Sequence, residues 1–177
     1  LLDNDFSSLI KFPLALLASG ATLYAFKKYL GWYVEDGARL SAFGQIHKVG
    51  VGWLVSALYL FTILICLFAT RHYSVAHLNF NLDHQLSWLS IFLLAAVIEE
   101  ITARGILFRL ITEKWNVVAG LVVSSIIFGF VHLFNPNATA LSCVRIAITG
   151  GWLCAIAYAY HRTLWVPIGI HWAWNFI

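Results

Sequence analysis

The chain has 177 residues, 61% of them hydrophobic and 16% aromatic, with only 11% charged and a mean hydropathy of +0.82. Those proportions exclude an ordinary soluble domain and leave a polytopic membrane protein. A formal charge of +3 and a pI near 8.9 do not mark a nucleic-acid partner, because the eleven Lys and Arg are scattered between apolar segments instead of being gathered on one face.

A bilayer core requires roughly 20 residues of apolar helix, and windows of that kind predict six helices in one all-α membrane domain spanning residues 1–177. The first runs from about Ile10 to Tyr29, with Lys11 at one end and Lys27 and Lys28 at the other. Its apolar run has the length of a leader segment, but Asp3 and Asp5 precede it in place of a basic stretch, which favours a retained helix. The second lies between Lys48 and Arg71 with no charge between them. A more polar connection follows. The third helix, from about Leu86 to Lys114, carries "LLAAVIEEITARGILF", where Glu99 and Glu100 stand side by side in an oily run.

The fourth helix runs from about Val117 to Phe134 and ends at the turn Asn135-Pro136-Asn137. The fifth covers about Ala138 to His161, with Gly150 and Gly151 marking a close helix contact or a bend. The sixth begins near Leu164 and reaches Ile177. Asn137-Ala138-Thr139 matches a glycosylation sequon, and a helix-capping turn accounts for the same residues. Residues 1–84 supply membrane helices alone; residues 85–177 carry the chemistry. The three cysteines, Cys66, Cys143 and Cys154, lie in apolar segments without CxxC spacing and read as buried thiols. The sequence starts at Leu1 and holds no Met, so it reads as less than a complete translation product.

Lys27, Lys28, Arg39, Lys48, Arg109, Lys114 and Arg162 fall in the connections after helices one, three and five, whereas those after two and four hold only Arg71. This bias places the N-terminus outside and the odd connections in the cytoplasm.

An ionisable residue at bilayer depth costs about 2.5–3.5 kcal/mol on insertion scales, and so is a functional candidate. Glu99, Glu100, Arg104, His132 and His171 qualify, with Asn175 as a buried amide. Glu100 and Arg104 are four apart on one helix face and can pair; Glu99 points about 100° away and has no cation at i+3 or i+4. Asn116 lies midway between Glu100 and His132. An antiparallel pair of helices turning there puts Glu99, Glu100 and His132 at similar depth, about 24 Å from the turn at 1.5 Å per residue. His171 and Asn175 share a face of the last helix, yet His171 lies only about 12 Å in from the turn near Thr163. It reaches His132 only if helix six enters obliquely or helix five bends at its glycines.

A carboxylate and an imidazole around one point can activate a water, and a second His with an Asn can donate to a developing oxyanion. The sequence has no GxSxG. The alternative is a zinc set of Glu99, His132 and His171, though HExxH is absent and Asn175 is a poor zinc ligand. A carrier using the same residues as a proton relay predicts inverted repeats, which the sequence lacks; a non-catalytic scaffold would keep them as a packing network.

"EEITAR" (Glu99 to Arg104), "FGFVH" (Phe128 to His132) and "HWAWN" (His171 to Asn175), in that order on successive apolar segments, resemble the EExxxR, FxxxH and HxxxN motifs of the CAAX prenyl protease 2 and bacteriocin-processing family of intramembrane proteases, called CPBP or Abi. The resemblance covers Ala95 to Ile177. It implies an endopeptidase acting on a membrane-bound or prenylated peptide or protein. Glu99 would activate water with His132, Glu100, Arg104 and Phe128 would support the site, and His171 and Asn175 would stabilise the oxyanion. It implies membrane lipid as a partner, and a multi-pass protein of a bacterial or archaeal cell membrane, or of the ER membrane in a eukaryote. Members of this family have been described both as metalloproteases and as glutamate-dependent, so zinc stays the alternative to a metal-free site. Relatives continue past the last motif, which implies one more helix beyond Ile177.

Overall fold

The computed structural model describes residues 8–33, 45–77 and 80–177. Asp3, Asp5 and Arg39, used above for the leader and orientation readings, lie outside the described residues. Helix α1 (Ser8–Tyr33) is followed by α2 (Lys48–Ala69) and α3 (Leu82–Glu100). A π-helical stretch (Ile101–Phe108) continues α3 directly into α4 (Arg109–Lys114). After a tight turn come α5 (Val117–Val131), a 3-10 turn (His132–Phe134), α6 (Ala140–Ile146), a second π-helical stretch (Ala147–Gly151), α7 (Trp152–His161) and α8 (Trp165–Phe176). All six expected segments are helical, and no strand occurs among the described residues.

Among the described residues four helices are long and apolar enough to cross a membrane: Leu9–Tyr29, Lys48–Ala69, Val117–Phe134 and Ala140–His161. The chain is an integral multi-pass membrane protein. Its α2 buries Gly52 and Ser56 while leaving Leu54, Leu58, Phe61, Ile65 and Phe68 exposed, as expected of a helix whose outer face meets lipid. The other two segments differ in kind. The α3 to α4 run carries charges within it, and α8 has only 12 residues, with Trp165 to His171 continuously buried. These are the interior elements, and they bear Glu99, Glu100 and His171.

The core joins α1, α3 and α8: Leu23 and Phe26 pack with Leu93 and Val97, with Ile101, and with Leu164, Trp165 and Ile168. Helix α2 lies along α8 through a crossing that only small residues permit. A Cβ on Gly52 would meet Val166 O and Ile170 N, and one on Gly169 would meet Val49 O. Because backbone cannot yield as a side chain can, Gly169→Ala is expected to lower stability by about 1–3 kcal/mol. The check is a fall in the thermal midpoint in detergent, against Gly50→Ala, whose Cβ meets nothing within 4 Å.

The connections follow the local chemistry. Asn116 caps α5, its Oδ1 accepting from Ala119 N at 2.9 Å, in the turn expected there. Thr139 caps α6 in a reciprocal box with Ser142, so its hydroxyl serves the capping reading of that tripeptide. Helix α7 ends at Arg162 in a left-handed conformation, φ 52°, whose N–H donates to Tyr158 O. The chain then turns directly into α8. Helix five leaves regular α geometry over Ala147–Gly151, the stretch that holds Gly150 and Gly151.

Candidate active site

Glu100 and Arg104 form the deepest part of the site, and neither side chain has any exposed surface. Arg104 Nη1 donates to Glu100 Oε1 at 3.0 Å, the expected i,i+4 pair. Its Nη2 donates to Gly151 O at 2.7 Å, which ties the first π-helical stretch to the second. The guanidinium also lies over the Phe128 ring, 4.3 Å from its centroid. A buried arginine needs several partners at once; these three engage the two Nη groups and the guanidinium face, while Nε is left without a hydrogen-bond partner.

The same carboxylate oxygen reaches α8. His171 Nδ1 lies 2.9 Å from Glu100 Oε1, which can only accept, so the ring donates there. Trp172 Nε1 donates to Leu89 O at 2.9 Å and fixes α8 against α3. On α5, His132 Nδ1 lies 2.8 Å from the Phe128 carbonyl oxygen, and again the ring must donate. Phe128 stands between the two histidines, its ring centroid 5.0 Å from that of His132 and 5.7 Å from that of His171.

Both Nδ1 atoms being engaged, both Nε2 atoms face one place. His132 Nε2 is 3.7 Å and His171 Nε2 3.8 Å from Glu99 Oε2. The depth argument from Asn116 therefore places Glu99 and His132 correctly, and the histidine of α8 joins them. Each separation exceeds a direct hydrogen bond, and polar groups at such spacing are commonly bridged by water. Asn175, expected to be a buried amide, is instead exposed, one residue from the end of α8, and borders a cavity shared with Phe128, His132 and His171.

Among the described residues no group of three or more His, Cys, Asp or Glu is disposed to hold a metal ion. Two donors on one tetrahedral zinc at about 2.1 Å sit about 3.4 Å apart, closer than the 3.7 and 3.8 Å found between Glu99 and the two imidazoles. The alternative zinc set of Glu99, His132 and His171 is brought together at these separations.

Sequence reasoning missed the backbone carbonyl of Gly151, which has no side-chain signature; the adjacent glycines were its only signal. It also missed that Glu100 serves His171 as well as Arg104, since 71 positions separate them. Comparison with curated proteins and with solved structures gives no match. A family model described as type II CAAX prenyl endopeptidase, Rce1-like, matches residues 81–177, which includes every residue of this site. The chain belongs to that Rce1-like family of CAAX prenyl endopeptidases.

Proposed function

We propose that the protein hydrolyses a peptide bond in a membrane-bound or lipid-anchored substrate, with Glu99 activating a water beside His132 and with Asn175 and His171 stabilising the oxyanion. The observation that carries this reading is the convergence of Glu99 Oε2 with two imidazole Nε2 atoms, which lie 3.7 and 3.8 Å from it. With its ring proton at Nδ1, His132 Nε2 accepts, as Glu99 Oε2 does, and two acceptors do not satisfy one another, which supports a water between them.

The steps then follow. Glu99 takes a proton from water as its oxygen bonds to the scissile carbonyl carbon. The Asn175 amide donates to the resulting oxyanion, and His171 joins it through Nε2–H as the doubly protonated ring, which keeps both its protons through the step with Nδ1–H committed to Glu100. Collapse breaks the carbon–nitrogen bond, and the proton held by Glu99 or relayed through His132 passes to the leaving amine. Glu100 and Arg104 hold His171 in place. No step is routed through a metal.

Purified protein in detergent, given a quenched farnesylated peptide, is expected to release fluorescence, and a chelator is expected to leave the rate unchanged. Loss on chelation with recovery on zinc titration would instead assign Glu99, His132 and His171 to a metal. Ion or solute flux in vesicles without cleavage would favour the carrier reading.

A further inference from the structure

A cavity of about 170 Å³ opens beside His132, His171 and Asn175, and its opposite wall comes from α6 and the second π-helical stretch through Ile146 and Gly150. Trp174 closes one side. Its lining includes both imidazoles but not Glu99. An engineered apolar cavity of about 150 Å³ takes benzene, which puts the volume here at one ring or one branched aliphatic group. That is a side chain's size, not the length of a lipid chain.

Gly150 borders this space, and a Cβ added to it would meet no atom within 4 Å. Its neighbour Gly151 differs: a Cβ there would come to 3.1 Å from Ser125 O. One glycine is needed for helix packing, and the other leaves room unused by the protein. We propose that this cavity receives the side chain of a residue flanking the scissile bond, aliphatic or one-ringed, and that Gly150 sets its upper size limit; this rests on the proteolytic reading above.

The test is a series of farnesylated peptides with Ala, Leu, Phe or Trp on either side of the scissile bond. For the parent, kcat/KM at one of these positions should fall about tenfold or more from Phe to Trp, the scale of size discrimination in apolar pockets. Gly150→Leu should shift the Ala-to-Phe ratio toward Ala by a similar factor, and Ile146→Ala should admit Trp. Ratios within one preparation do not depend on the folded fraction. Dissociation constants for the same peptides on Glu99→Gln separate this proposal from the mechanism. If the parent cuts nothing but the size ranking and its shift by Gly150→Leu appear in binding, the cavity assignment stands and the protease reading fails. If Gly150→Leu leaves the ranking unchanged in both cleavage and binding, the assignment is overturned.

Discussion

Replacing Glu99 with Gln is expected to lower kcat by about 10²–10⁴-fold, the range a general base contributes, while the thermal midpoint stays close to that of the parent. The amide has the same shape but cannot take a proton from water. Glu99 is 38% exposed, and its two nearest partners lie at 3.7 and 3.8 Å, so its removal breaks no direct hydrogen bond and unburies nothing. Loss of activity without loss of stability is what separates a reacting group from a packing one. Unchanged cleavage by Glu99→Gln would end its assignment as the base. Binding should persist in this variant, since the cavity is lined by the imidazoles and not by Glu99.

The helices and half of the site were legible because the physics behind them is local. A bilayer allows few charges over a span, and the uncharged window between Lys48 and Arg71 became α2. Helical spacing alone paired Glu100 with Arg104. Equal residue counts about Asn116 brought Glu99 to His132, because two regular helices joined by a tight turn keep their depth in register. The same arithmetic left His171 short, and the reason is now visible. Helix five contains a π-helical stretch at Ala147–Gly151, and the segment after it is an interior helix of 12 residues, not a membrane span. Depth counted at 1.5 Å per residue from a membrane edge has no meaning for such a helix. The contact of His171 with Glu100 depends on where α8 is seated against α2 and α3, and that seating is set by Gly52, Gly169 and the Trp172 bond to Leu89. None of these is a motif for chemistry.

Arg104→Leu is expected to be the most destabilising single change in the site. It would strand the fully buried Glu100 without its cationic partner, and breaking a buried pair from one side costs about 3–5 kcal/mol. It would also remove the donor to Gly151 O, loosening the second π-helical stretch that walls the cavity. The thermal midpoint in detergent should fall markedly, and cleavage with it. The informative comparison is the double variant Glu100→Leu with Arg104→Leu. Replacing both charges by apolar groups removes the stranded carboxylate, and such exchanges range from neutral to stabilising by about 1–4 kcal/mol, so much of the lost stability should return. Activity should not return. His171 Nδ1 would have no acceptor, its ring orientation and tautomer would be free, and Nε2 would no longer be held toward Glu99. A double variant as active as the parent would reduce the pair to packing and show that His171 needs no positioning by Glu100.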